Sequence, residues 1–204
     1  MNGLLYNRRN ACPFVYHSAC LMGSVLLMKW NWIDRIIEFE PGKRALAVKN
    51  VSISEDVVHD YFEEVLASDD SVSGMVRPIM PGALIIEGMA QTAGLLVSHV
   101  NNFREKVILA KISRATLERD VVPGQTLFFE AEIERIDPTG ASTNGRISVY
   151  DHGSETMHDL GIVQMLFSHI DQNRAGISFP KHNFVFTDDF RTLLRISNIE
   201  WEEL

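Results

Sequence analysis

The stretch that decides the fold is RPIMPGALIIEGMAQTAG, residues 77–94. From Gly82 to about His99 the chain is apolar on nearly every side of a helix, a pattern typical of a helix enclosed by other structure. Pro81 precedes it, and proline is favoured at helix starts because its missing N–H would have no partner there. We therefore predict a buried central helix that begins at Pro81-Gly82.

Small residues recur along this predicted helix. Alanine and glycine contribute little bulk, and glycine lowers helix propensity, so their presence indicates that other backbone passes close by. We interpret these small residues as positions where strands pack closely against the helix. The small residues are Ala83, Gly88, Ala90, Ala93 and Gly94.

The segments on both sides of the helix predict an antiparallel sheet. Residues 32–53 read as two strands joined by a turn at Pro41-Gly42-Lys43, because apolar and β-branched residues flank the turn residues. Four further strands are predicted downstream, which makes about six in all. They lie near residues 106–116, 125–136, 143–151 and 157–170.

Two shorter helices are also predicted. Ser52 and Glu55 have the spacing of a capping box, and apolar residues then repeat at helical spacing over 54–67. A second short helix is predicted after Thr187, where acidic residues occupy the first turn and arginines lie nearer the end.

Charge and composition exclude several classes of function. The net charge of −8 over 204 residues argues against nucleic acid or an anionic membrane as partner, because both require a positive surface. Only Cys12 and Cys20 occur, so we predict no disulfide framework, no metal site and a reducing cytoplasm. The apolar run Leu84–Val97 is too short to span a bilayer, so no transmembrane segment is predicted.

Glu87 is a carboxylate within the apolar helix, where an unpaired charge is costly to bury. It either faces a cavity, or caps a neighbouring backbone group or meets solvent at a subunit edge. Gln91 lies one turn further on and projects from the same face, so the pair favours a pocket wall. At the helix start, the Gly82 N–H lies in the positive first turn with no side chain to block a ligand, which suits an oxyanion.

The stretch RPIMPGALIIEGMAQTAG, residues 77–94, resembles the central helix motif of hot-dog-fold 3-hydroxyacyl-acyl carrier protein dehydratases of the FabZ and FabA type. KNVSISE before the helix and ERDVVPGQTLFFEAEI after it are similar to that family in order and spacing, so the resemblance covers roughly 30–171. It implies an α+β hot-dog fold, in which an antiparallel sheet wraps a long central helix. It also implies roles for individual residues. Glu87 is matched to the acid that protonates the leaving hydroxyl, Gln91 to a pocket amide and Gly82 to the thioester oxygen donor, with Pro81 and Met80 beside them in the substrate-binding stretch.

The sequence departs from the family at the catalytic base, the residue that removes the α-proton of the substrate. The family uses a histidine in a Gly-His-Phe-Pro segment, and that segment is missing here. Aligned forward, the histidine falls on Tyr61, and aligned backward it falls on Ser73, which indicates an insertion at about 63–75. His59 is our choice of base, because a pKa near 6.5 suits the task. Asp60 and Tyr61 are held in reserve, and His59 is equally well read as an ordinary surface or core-edge histidine.

Three functions follow from this resemblance. The first is a (3R)-3-hydroxyacyl thioester dehydratase of fatty acid or related lipid biosynthesis, with acyl carrier protein or coenzyme A as the substrate's carrier and no cofactor. The second is a hot-dog acyl thioesterase, which needs no histidine, and the third is a non-catalytic acyl-binding partner. We also expect a homodimer or dimer-based oligomer, and the chain is divided into a tail (1–28), the hot-dog domain (29–171) and a C-terminal extension (172–204).

Overall fold

The fold is one antiparallel sheet of six strands packed on a long helix. The computed structural model describes residues 30–58, 78–170, 183 and 185–202. The sheet order is β1-β2-β4-β5-β6-β3, and the long helix contacts β2 to β6. The elements in chain order are β1 (Arg35–Glu40), β2 (Arg44–Asn50), α1 (Gly82–Val100), β3 (Lys106–Leu117), β4 (Gln125–Asp137), β5 (Gly140–Asp151), β6 (Thr156–Ile170) and α2 (Asp188–Ile196).

The predicted central helix, the first hairpin and the four downstream strands are all present. Gly42 adopts φ of +72° in the turn between β1 and β2, a conformation that glycine accepts without steric cost. The helix predicted after Thr187 is also present, as α2. The predicted tail, the insertion and the candidate bases His59 and Tyr61 lie outside the described residues.

The core lies between α1 and the inner face of the sheet. On β5, alternate residues from Ala141 to Val149 are buried, as the period of two in a half-buried strand requires. Gly145 belongs to this row, and a Cβ placed there would lie 2.5 Å from the sulfur of Met89 on α1. The missing side chain is therefore what lets the Met89 side chain reach the β5 backbone.

Helix α1 is long and apolar enough, by length and composition alone, to cross a membrane. More than half of it is buried inside the fold, where its apolar residues meet the sheet. Its apolar character is thus explained by enclosure within the protein core.

The predicted capping box is wrong in its hydrogen bonds. Ser52 Oγ accepts from the backbone N–H of Ser54 at 3.2 Å, and the N–H of Glu55 donates to the Ser52 carbonyl instead. The Glu55 carboxylate pairs with Lys49 Nζ at 2.7 Å. A buried ammonium is a stronger partner for the carboxylate than a backbone N–H, so the side chain turns away from the cap. Residues 56–58 are helical, and the described part stops there.

Asp151 organises the turn between β5 and β6. Its Oδ1 accepts hydrogen bonds from the N–H groups of Gly153 and Ser154, and its Oδ2 accepts one from Gln125 Nε2 at 2.7 Å. The Gln125 bond, followed by the Ser154 bond, lowers the pKa of Asp151 from 3.8 to about 2. These bonds stabilise the ionised carboxylate.

This lowered pKa predicts acid sensitivity at the turn. Because the folded pKa is below the unfolded one, the stabilisation is present above pH 3.8 and is lost as the pH falls towards about 2. We expect the melting temperature of the natural protein to fall more steeply over this range than that of Asp151→Asn, whose side chain does not titrate. If plots of melting temperature against pH run parallel for the natural protein and Asp151→Asn over this range, this role of Asp151 is contradicted.

Candidate active site

The start of α1 is held firmly in place. The Met80 side chain is buried, and its backbone N–H donates to the carbonyl of Val121 at 2.8 Å. The Pro81 carbonyl accepts from the N–H groups of Leu84 and Ile85, which begins the helix. Met80 and Pro81 therefore fix the position of Gly82, the first residue of α1.

Gly82 presents an open backbone donor. It is exposed, and no described residue accepts a hydrogen bond from its N–H. The first N–H groups of a helix have no partner inside the helix and lie at its positive end. An oxygen that gains negative charge can be stabilised at this position.

Glu87 and Gln91 are joined on one face of α1. Gln91 Nε2 donates to Glu87 Oε1 at 3.0 Å and to the Trp30 carbonyl at 2.7 Å. Gln91 Oε1 accepts from the Trp32 N–H at 2.9 Å. The buried Gln91 amide thus uses both its hydrogens and its oxygen within the protein, and through the Trp30 and Trp32 bonds it ties segment 30–32 to the helix beside Glu87.

This arrangement orients Glu87. One carboxylate oxygen is held by Gln91, whereas Oε2 accepts no hydrogen bond from a described residue. The side chain is half-buried and borders a cavity. Because helical side chains tilt towards the N-terminus, the Glu87 side chain inclines towards the end of α1 at which Gly82 lies. Five residues of helix separate the two along the axis by about 7.5 Å.

The cavity has a volume of about 270 Å³ and runs along α1. Its helix wall carries Glu87 and Gln91 at one end and Ser98 at the other, and the side chains between them are small or apolar. The start of β3, together with Phe167 of β6, forms the second wall. The remaining lining residues come from the C-terminal part of the chain: Asn183, Val185, Phe186 and Phe190.

The sequence-predicted site residues separate into three groups. Glu87 and Gln91 line the cavity, whereas Met80, Pro81 and Gly82 lie at the helix start and do not. His59 and Tyr61 lie outside the described residues, so their roles remain predictions. None of the histidines in the described ranges lines the cavity or bonds to Glu87; these are His99, His152, His158 and His169.

The cavity residues of the C-terminal segment were missed by sequence reasoning. The motifs of the central helix contain no information about which distant segment covers the helix. An indication does exist in the aromatic residues Phe186 and Phe190, which flank the predicted start of α2. Within the described ranges, no group of three or more histidine, cysteine or acidic side chains is arranged to hold a metal ion.

Comparison with known proteins places these features in a family context. The model of the FabA-like domain family matches residues 27–154. The 3-hydroxyacyl-[acyl-carrier-protein] dehydratase FabZ of Caldanaerobacter subterraneus subsp. tengcongensis is 38% identical over 105 residues, which are 51% of this chain and 66% of that protein. The FabZ dehydratase of Clostridium acetobutylicum is 35% identical over 124 residues, 57% of this chain and 79% of that protein. The aligned part thus spans just under two thirds of the first relative.

The fold is shared with a solved dehydratase structure. The dehydratase heterocomplex ApeI:P from Xenorhabdus doucetiae superposes with a TM-score of 0.51 at 17% identity, covering 70% of this chain and 85% of that one. At this identity the likeness concerns the fold alone. The predicted α+β hot-dog fold, a sheet wrapped around a long central helix, is confirmed.

Proposed function

The chain belongs to the FabA-like domain family, and from this membership we propose that it is a (3R)-3-hydroxyacyl thioester dehydratase. The observation that carries the proposal is the half-buried Glu87, held by Gln91 Nε2 at 3.0 Å on the wall of an apolar cavity. An oriented carboxyl group beside an apolar cavity fits an acyl chain with one polar reacting end.

Glu87 is the proposed acid. In the proposed reaction a base removes a proton from the α-carbon of the thioester, and the electron pair forms an enolate. The enolate then collapses to a double bond between the α- and β-carbons as the β-hydroxyl leaves. Protonated Glu87 donates its proton to that hydroxyl, so the products are water and a trans-2-enoyl thioester.

The Gly82 N–H is the proposed donor to the thioester oxygen. Negative charge develops on this oxygen in the enolate, and a fixed backbone donor at a helix start stabilises it without having to reorganise. The absent side chain keeps the approach open.

The proposed base is His59, with Tyr61 as the rival position. Imidazole titrates near neutral pH, which suits proton abstraction better than a phenol whose ordinary pKa is about 10. No described histidine hydrogen-bonds to Glu87, so a base outside the described ranges is compatible with the site. We further propose that the carrier is acyl carrier protein or coenzyme A and that the protein works in fatty acid synthesis in the cytoplasm.

A single assay tests the proposed function. Purified protein is mixed with a 3-hydroxyacyl thioester and, separately, with a saturated acyl thioester of the same length. Formation of the enoyl product, seen by its ultraviolet absorbance and by mass spectrometry, is expected from the first substrate only. Release of free thiol from either substrate would support a thioesterase instead, and binding without any product would support the acyl-binding role.

We propose that the protein pairs through the free edge of β3. This strand ends the sheet, and Leu109–Thr116 are exposed along it. A long exposed edge with apolar side chains readily pairs with another strand. Because residues 107–109 of this strand also line the cavity, a partner placed there would lie beside the proposed active site.

The variant Ile112→Glu is therefore expected to be a monomer. Ile112 is 41% exposed in the middle of β3, and a carboxylate there would be desolvated in the interface. The matched control is Ile37→Glu, because Ile37 is 46% exposed on β1 at the opposite edge. Sedimentation at micromolar concentration should give a dimer for the natural protein and for the control. A monomeric natural protein would contradict the proposed pairing.

A further inference from the structure

The C-terminal segment, defined here as the described residues from Asn183 to Glu202, packs at the end of α1 that is remote from Gly82. Asn183 Nδ2 donates to the carbonyls of Phe103 and Glu105 at 2.8 and 3.1 Å. Its Oδ1 accepts from the N–H of Val185 at 3.1 Å and from that of Phe186. One amide therefore joins the segment to the loop that follows α1.

Aromatic stacking fixes the same junction. The rings of Phe103 and Phe186 are stacked, with centroids 4.0 Å apart and an interplanar angle of 11°. Phe103 is buried and has φ of +57°, an uncommon backbone conformation for a bulky residue. The surrounding structure must hold it there, and Phe186 supplies one face of that environment.

The segment also contacts strand β1 and a second residue of the loop after α1. The side-chain amide of Asn102 forms two hydrogen bonds with the backbone of Glu202: its Nδ2 donates to the Glu202 carbonyl at 3.1 Å, and its Oδ1 accepts from the Glu202 N–H at 3.0 Å. Ser197 Oγ accepts from the N–H of Ile36 on β1 at 3.0 Å. The segment thus connects β1, one edge of the sheet, with the loop that leads into β3, the other edge.

Because of this position, the segment lines the cavity towards the end of α1 that is remote from Glu87. Val185, Phe186 and Phe190 line it together with Ser98, which lies eleven residues beyond Glu87 on α1. We propose that the C-terminal segment is the end wall of the acyl pocket and sets the longest acyl chain that the protein accepts. The proposal rests on the proposed function, and it lies beyond the family match, which ends at residue 154.

The length of α1 between Glu87 and the end wall gives the expected limit on acyl chain length. Eleven residues of helix span about 16 Å between Glu87 and Ser98. An extended hydrocarbon chain with bonds of about 1.5 Å at tetrahedral angles advances about 1.25 Å per carbon, so about a dozen carbons beyond the β-carbon beside Glu87 reach the wall, which corresponds to an acyl chain of about 15 carbons. A longer chain must bend, or leave carbons in water, or displace the segment. Affinity should therefore rise with chain length and then stop rising near that length.

Two substitutions move the wall in opposite directions. Phe190→Ala removes a half-buried ring from the cavity lining and should extend the useful chain length. Each methylene newly enclosed should improve Kd by about fourfold. Ser98→Leu adds bulk at the same end of the cavity and should shorten the longest acyl chain that binds fully enclosed. Phe128→Ala is the matched control, because Phe128 is a half-buried phenylalanine on β4 that does not line the cavity.

The measurement is calorimetric binding of saturated acyl-coenzyme A thioesters over a series of chain lengths, since these ligands carry no 3-hydroxyl group and cannot be dehydrated. Melting curves first establish that each variant is folded. A limit that shifts longer in Phe190→Ala and shorter in Ser98→Leu, but not in the control, is the expected result. An unchanged limit in both folded variants would overturn the proposal.

Turnover of the matching 3-hydroxyacyl thioesters separates this inference from the proposed function. A shifted binding limit without any enoyl product in the natural protein would leave the end wall in place and reject the dehydratase. Normal enoyl formation with no limit on the chain length that binds would support the dehydratase and reject the end wall.

Discussion

Glu87→Gln is expected to slow enoyl formation by roughly 100-fold to 10,000-fold, the range found when a general acid or base is removed. Glutamine has nearly the same shape and its carbonyl oxygen can still accept the hydrogen bond from Gln91 Nε2. It has no acidic proton, so the leaving hydroxyl would depart without protonation. Substrate affinity and melting temperature should change little, because the packing of α1 is retained. The measurement is the steady-state rate of enoyl formation beside a thermal melt.

Glu132→Gln serves as the control, since Glu132 is an exposed glutamate on β4. Near-normal turnover in folded Glu87→Gln would remove this residue from the mechanism.

The same assay of enoyl formation identifies the catalytic base. Loss of activity in His59→Ala with retained substrate binding supports the imidazole, whereas loss in Tyr61→Phe with an active His59→Ala transfers the role to Tyr61.

Gly88→Ala is expected to destabilise the fold by about 1–3 kcal/mol, the usual cost of forcing extra bulk into a packed core. A Cβ at residue 88 would lie 2.7 Å from the ring of Phe129 and 2.9 Å from the backbone oxygen of Trp32. The helix cannot move away from both, because they belong to different segments. For a chain of this size the melting temperature should fall by roughly 3–10 °C.

Gly94→Ala is the matched control on the same helix. A Cβ at residue 94 would meet Phe167 at 3.5 Å, which is an ordinary van der Waals contact. Alanine also has the higher helix propensity, so this variant should be as stable as the natural protein or more stable, by up to about 1 kcal/mol. Equal melting temperatures for the two variants would show that the close approach at Gly88 is not what limits packing.

The two glycines illustrate how far the sequence could predict the packing. All five small residues of α1 were interpreted as room for strands. Gly88 and Ala93 are buried and fit that reading, whereas Ala83 is exposed and Gly94 is half-buried. Composition indicates that a helix is enclosed, but which of its faces meets the backbone of a neighbour depends on segments that are distant in sequence.

By itself, the sequence determined the central helix, the six strands with their turns and the position of Glu87 on the buried helix. These features follow from hydrophobic periodicity and turn residues, which act over a few neighbouring positions. Only the tertiary structure decided that Gln91 joins Glu87 to segment 30–32, and that Phe186 and Phe190 line the cavity. Those contacts span about sixty to a hundred residues, so no local pattern encodes them. They form when burial of apolar surface brings distant segments onto one helix.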